Sequence, residues 1–292
     1  NQFRTNIKNV AAEKGFYDLE VDDGVLTLEP GLAHLEANAS AVIKKILKEK
    51  TLKVLDEREV TILAVFLAVQ FVRTKEHRLR FERLGEMFAQ KLREMGASEE
   101  NIAEQTKSST GLPEDKLIGF KSVLGAKEFV PHFLNKVWVL FETTSRYPFY
   151  ISDNPLTLHN GMDHGFYGNI GLAVRGIELY LPISTTLCLA LICPSIVEEF
   201  QIAYQNIRRL DQIAPGLADT VMKKPAATRE FCDGLVNGTP ISVIDDNVMM
   251  MNSLQVMYSS RFVYCERESF DLVERMIKDD ERFREGLKPT VK

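Results

Sequence analysis

Hydrophobic residues crowd most densely between Val60 and Val72, where VTILAVFLAVQFV carries only Thr61 and Gln70 as polar positions. A helix apolar on every side belongs at the centre of a fold. At about 13 residues it is too short to cross a bilayer, which takes about 20. Asp56-Glu57-Arg58-Glu59 precedes it with acidic residues that suit a helix N-terminus. Upstream, Leu32, Leu35, Ala39, Ile43 and Ile46 recur at helical spacing behind Pro30, a residue favoured in the first turn. That pattern predicts a helix to about Lys50. Downstream, the central helix is expected to continue through Arg78 to Met95 and to stop at Gly96. A short helix from Ser98 to Gln105 and another from about Asp115 to Asn135 complete the helical half.

Elsewhere the pattern is that of strands. Asp23-Gly24 between LEV and VLTL is a hairpin signal. Val137 to Pro155 reads VWVLFETTSRYPFYISDNP, two β-rich runs about a polar turn at Ser145-Arg146, and predicts a second hairpin. Gly176–Ser184 and Thr185–Cys193 are expected to pair as apolar strands, with Pro182 at an edge or bulge. Ser195 and Glu198 have capping-box spacing for the helix that follows. Ile244 to Ser260 is the last long helical pattern, and Phe262–Cys265 is a closing strand or a further helical turn. These elements predict an α+β fold. Its N-terminal half is mainly helical around a buried central helix, and its C-terminal half carries antiparallel hairpins. One domain of two packed lobes, about 1–136 and 137–292, is the expected organisation.

Composition narrows the function classes. The 292 residues are 45% hydrophobic and 26% charged, with a net charge of -5, which does not favour a dedicated nucleic-acid coat. A local basic pocket stays open as an alternative. No apolar stretch is long enough to span a membrane. The first residues lack an initiator Met and a signal-peptide pattern, so residues upstream and a cytoplasmic location are expected. Cys188, Cys193, Cys232 and Cys265 have no metal-binding spacing and read as reduced, mostly buried thiols. No P-loop, GxGxxG, GxSxG or HExxH occurs.

Three places carry candidate chemistry. Ser152-Asp153-Asn154-Pro155 delivers polar side chains at a strand exit, where Asp153 would be a metal ligand or general base. Its plainer reading is a turn held by side-chain to backbone hydrogen bonds. Gln70, Arg73 and His77 form a polar stripe at a helix end, and an Arg there suits a carboxylate or phosphate; a solvated edge is the alternative. Glu36 borders an apolar seam, as a pocket carboxylate or as the partner of a nearby Arg or Lys. Asn252, Gln255 and Ser259 lie along one side of the last long helix, ahead of Arg261. The Gly-rich segment His159 to Gly168, with Asp163 and His164, reads as a flap over a cleft more readily than as a metal site.

The order of these segments resembles a bacterial family known as domain of unknown function 4238. The matching residues are Lys8-Asn9-Val10-Ala11 with Phe16-Tyr17, Leu28-Glu29, Leu35-Glu36, Gln70-x-x-Arg73-Thr74 and Trp138. Phe149 to Pro155, Leu181-Pro182-Ile183-Ser184, Asn252-x-x-Gln255 and Arg261-x-Val263-Tyr264 complete the likeness. Members typically begin with a His-His-x-x-Pro stretch that this chain lacks. The resemblance supplies positions and no reaction.

The residues support two expectations. In the first, the protein is a hydrolase of a phosphate ester, a nuclease being one form, with Asp153, Glu36 and Arg73 catalytic and a divalent metal in a supporting role. Gln70, Ser152, Asn154, Asn252, Gln255 and Arg261 would then hold substrate. In the second, the same cleft binds a small molecule, nucleic acid or partner protein without chemistry. Both expect these residues to face one hollow.

Overall fold

A computed structural model describes residues 4, 16–21, 24–106, 114–144, 146–162, 170–266 and 270–284 of the chain. The elements run β1 (Asp18–Val21), β2 (Gly24–Thr27), α1 (Glu29–Glu49), α2 (Glu57–Arg73), α3 (Lys75–Glu94), α4 (Glu99–Thr106), α5 (Glu114–Gly125) and α6 (Val130–Leu134). Then follow β3 (Val137–Glu142), β4 (Ile151–Ser152), β5 (Thr157–Asn160), β6 (Ile177–Pro182), β7 (Leu187–Ile192) and α7 (Pro194–Ile213). The chain closes through α8 (Leu217–Val221), α9 (Pro225–Asn237), β8 (Ile241–Ser242), α10 (Asp245–Tyr258), β9 (Val263–Tyr264) and α11 (Asp271–Asp279). The protein is thus α+β, with helices in both halves.

A five-stranded sheet in the order β5-β6-β7-β3-β8 forms the middle layer. Its pairings are antiparallel except β3 with β8. Period-2 alternation sends the two faces of each strand to different cores. Leu140, Leu158, Leu179, Leu189 and Leu191 pack with α1, α2 and Phe133 of α6. Val139, Phe141, Cys188, Ala190 and Ile192 pack with Val197, Phe231, Val248 and Met251 from α7, α9 and α10. Every residue of β7 is buried, because it is covered on both faces. The central helix α2 buries Leu63, Ala64, Leu67, Ala68, Val69, Gln70 and Val72. It starts in a full capping box, Asp56 accepting the Glu59 N–H and Glu59 accepting the Asp56 N–H.

Three local expectations are corrected. The first concerns Val137–Pro155, which is not a hairpin: β3 pairs with β7 and β8, and β4 pairs with β9. The backbone between them is satisfied otherwise, Thr143 N–H and Phe149 N–H donating to Thr186 and Thr185 carbonyls at 2.9 and 2.8 Å. Second, the central helix does not run on through Arg78. Thr74 is extended (ψ 151°), ends α2 and caps α3, accepting the His77 N–H at 3.3 Å. The Arg73 carbonyl freed by this break accepts from the Tyr17 hydroxyl at 3.1 Å and from Arg78 Nη1 at 3.2 Å. Third, α7 is capped by Cys193 and begins at Pro194, so Ser195 and Glu198 make no capping box.

Two further expectations meet the structure directly. β1 and β2 pair antiparallel, as Asp23-Gly24 predicts. β6 and β7 pair as expected; Pro182 lies beyond Tyr180, where pairing to β5 ends, so its missing N–H costs no ladder bond on that side. Among the described residues, no helix is long and apolar enough to cross a membrane.

Candidate functional site

The predicted site residues fall into two groups that line different parts of the molecule. Around Asp153 the chain from Pro148 to Pro155 has little strand pairing of its own. Side chains of α10 supply the missing partners. Asn252 Oδ1 accepts the Tyr150 N–H at 2.8 Å, and its Nδ2 donates to the Pro148 carbonyl at 2.9 Å. One turn later, Gln255 Oε1 accepts the Ser152 N–H at 2.9 Å, and its Nε2 donates to the Pro155 carbonyl at 2.9 Å. Ser152 Oγ also reaches Gln255 Oε1 at 2.9 Å and accepts the Asn154 N–H at 3.2 Å. Asn154 Nδ2 donates to the Tyr258 carbonyl at 3.1 Å. The i, i+3 spacing therefore does put Asn252 and Gln255 on one face. Ser259 does not join them; its hydroxyl donates to the Val256 carbonyl at 2.8 Å.

Asp153 completes this seam from the other side. Its Oδ1 accepts the Ser260 N–H at 2.8 Å, and its Oδ2 accepts the Arg261 and Phe262 N–H groups at 2.8 and 3.0 Å. Its own N–H donates to the Phe262 carbonyl at 3.1 Å. Burial pushes the carboxyl up from the usual Asp range, and these backbone donors pull against that rise. Arg261 thus meets Asp153 through its backbone, while its guanidinium lies 4.8 Å from the centre of the Phe262 ring. Tyr264 stands nearby with a buried hydroxyl that has no hydrogen-bond partner among the described residues; burial first, and the charge of Asp153 second, push its phenol up. The turn expected within Ser152–Pro155 is real, yet the carboxylate binds a segment more than 100 residues away.

Glu36, Gln70 and Arg73 form the second group. Helices α1 and α2 pack antiparallel, with charge pairs toward both ends: Lys45 Nζ to Glu59 at 2.7 Å, and Arg73 Nη1 to Glu36. Arg73 Nε also donates to Gln70 Oε1 at 3.2 Å. Between the helices lies an open groove of about 420 Å³, lined by Glu36, Ser40, Ile43, Lys44, Leu47, Phe66, Gln70 and Arg73. Its walls follow from helical spacing. Glu36, Ser40 and Lys44 stand four apart on α1, and Phe66, Gln70 and Arg73 four and three apart on α2. Ser40, Lys44 and Phe66 escaped the sequence reading, although stepping by four from Glu36 along α1 marks the first two.

The two groups do not share a hollow. None of Asp153, Asn252, Gln255 or Arg261 lines the groove. Thr74, His77, Asn154, Leu158 and Tyr258 instead border a small gap of about 10 Å³, close to the space one water needs. The break at Thr74 separates Arg73, on the groove side, from His77, on the gap side.

Other titratable groups sit apart. Tyr180 donates to Glu178 Oε2 at 2.6 Å, and His159 is the cross-strand partner of Glu178. Burial raises the Glu178 carboxyl, against the Tyr180 hydrogen bond and the His159 charge. The four cysteines are free thiols, and Cys188, Cys193 and Cys232 are buried. No set of three or more His, Cys, Asp or Glu is grouped to hold a metal among the described residues. Asp163 and His164, with the rest of the expected flap to Gly168, lie outside those residues.

No curated protein matches the chain. No solved structure does either. The match that exists is to a family model, and it runs over residues 1–269, taking in both helices of the groove and the whole Asp153 seam. The chain belongs to the protein family of unknown function DUF4238.

Proposed function

We propose that this protein is a ligand-binding module whose recognition site is the groove between α1 and α2. The observation that carries the reading is the pairing of Arg73 with Glu36 and Gln70 at one end of that groove. Small-molecule sites are concave, roughly 300–1,000 Å³, and mostly apolar with a few converging polar groups. At about 420 Å³, floored by Ile43, Leu47 and Phe66, the groove has that size and make-up.

The hydrolytic reading asks more of Asp153 than its surroundings favour. A metal ligand or general base needs lone pairs directed at an ion or a substrate proton. The Asp153 oxygens already accept three backbone N–H groups. Asn252 and Gln255 likewise spend their amides on backbone, so the seam reads as a structural fastening.

The test is a ligand-observed NMR screen of small molecules against the full chain, repeated with Ser40→Trp, which fills the groove from a half-buried position on α1. Hits should lose at least tenfold in affinity in S40W without a drop in melting temperature. Hits indifferent to S40W would refute the groove. Metal-dependent cleavage of phosphate esters, lost in Asp153→Asn at unchanged melting temperature, would restore the hydrolase.

A further inference from the structure

We infer that the tip of the helical hairpin α7–α8–α9 is a docking surface for an anionic lipid bilayer, touched from one side and not crossed. The inference goes beyond the α1–α2 groove and is independent of it. The hairpin leaves the sheet after β7 and returns to it at β8. Its share in the core ends early: Tyr204 is the last residue of α7, and Phe231 the first of α9, that packs there. Beyond them the three helices pack on one another, burying Ile207, Ala218, Pro225 and Thr228. Arg229 ties this tip together, pairing with Asp211 at 2.8 Å and with Asp219 at 2.7 Å.

What the tip turns outward is aliphatic and basic. Ile213 and Val221, the last residues of α7 and α8, are 76% and 59% exposed. Single exposed aliphatics are ordinary, but these two stand among cations. Residues 205–229 hold five Lys and Arg against Asp211 and Asp219, a net +3 within a chain of net -5. Both acids are engaged by Arg229. Arg209, Lys223 and Lys224 are exposed and in no ion pair among the described residues. Glu230, next in the chain, turns back to the sheet and accepts the Ser242 N–H at 3.0 Å.

The two lysines do not serve the local fold. Positive charge just ahead of a helix opposes its dipole, and Lys224 holds the left-handed conformation (φ 52°) that favours glycine. An anionic bilayer suits the whole surface: its head groups attract the cations, and its acyl boundary takes up aliphatic side chains between them. Nucleic acid would use the cations alone, since bases stack on aromatic rings and residues 205–229 contain none.

The experiment sediments the full chain with vesicles of phosphatidylcholine, or of phosphatidylcholine and phosphatidylglycerol in equal parts. The variants are Lys223→Glu with Lys224→Glu, and Ile213→Gln with Val221→Gln. All four side chains are exposed, and acids suit the start of α9, so melting temperatures should not fall. Wild type should bind the anionic vesicles at least tenfold more tightly than the neutral ones. K223E/K224E should lose at least tenfold of that affinity. I213Q/V221Q should lose at least fivefold, which a purely electrostatic contact would not. No binding to anionic vesicles, or binding that either variant leaves unchanged, overturns the inference. A fluorescent single-stranded oligonucleotide bound more tightly than the anionic vesicles, and unaffected by I213Q/V221Q, would make the tip a nucleic-acid surface and overturn it as well.

Discussion

Gln255 holds Ser152 by a single amide oxygen, which accepts both the Ser152 N–H and its hydroxyl at 2.9 Å. Gln255 is fully buried and Ser152 nearly so. A helix side chain here takes the place a neighbouring strand would fill, and Asn252 repeats the device one turn earlier. The segment is fastened to α10 by amides, because its only ladder is the two-residue pairing of β4 with β9 and its other backbone groups need partners.

Truncating these amides should therefore cost stability. Gln255→Ala leaves the Ser152 N–H and the Pro155 carbonyl without partners, and each such buried group costs about 1–3 kcal/mol. Asn252→Ala strands the Tyr150 N–H and the Pro148 carbonyl. Urea unfolding should give both variants a loss of about 2–4 kcal/mol with an unchanged m-value. A double-mutant cycle should find them coupled, since both bind one eight-residue segment.

The break at Thr74 should respond separately. Its hydroxyl accepts the His77 N–H at the start of α3, so Thr74→Ala removes an N-cap worth about 1 kcal/mol. The melting temperature should fall by a few degrees. Thr74→Ser should recover most of the loss, because the oxygen is what caps.

Much of the helical half was legible in the sequence. The acidic residues Asp56 to Glu59 before α2, its continuous apolar run and the Pro30 start of α1 are signals carried by neighbouring residues of one helix, and such signals are local. The partner of β3 was not legible. Val137–Glu142 has the composition of a strand buried on both faces, and nothing in it names β7 over the nearer Phe149–Ile151. Thr74 hid for a related reason: Thr inside a helical pattern is tolerated, and only its extended ψ reveals a cap. Candidate polar residues were found one by one from their spacing. Whether Asp153 faces a cleft or a distant backbone depends on where Ser260–Phe262 lands, which is a tertiary fact.

The pair between α1 and α2 predicts a pH dependence. The Lys45 hydrogen bond, with the Asp56 N–H next, holds the Glu59 carboxyl below its usual value of 4.5. A depressed folded value means that the pair adds stability above pH 4.5 and loses it as pH falls through the folded value. The melting-temperature advantage of wild type over Lys45→Met should thus be present at pH 7, shrink below pH 4.5 and shrink also in 1 M salt. An advantage that grew on acidification would reverse the sign argued here.

The most direct measurement compares Asp153→Asn with wild type in melting temperature and in affinity for a groove ligand, meaning a hit of the NMR screen that S40W weakens. An amide at this position turns an N–H₂ toward backbone donors that now meet a carboxylate. The account predicts a melting temperature lower by several degrees and an affinity for that groove ligand within twofold of wild type. An unchanged melting temperature with loss of ligand binding, or of any hydrolytic activity, would contradict it.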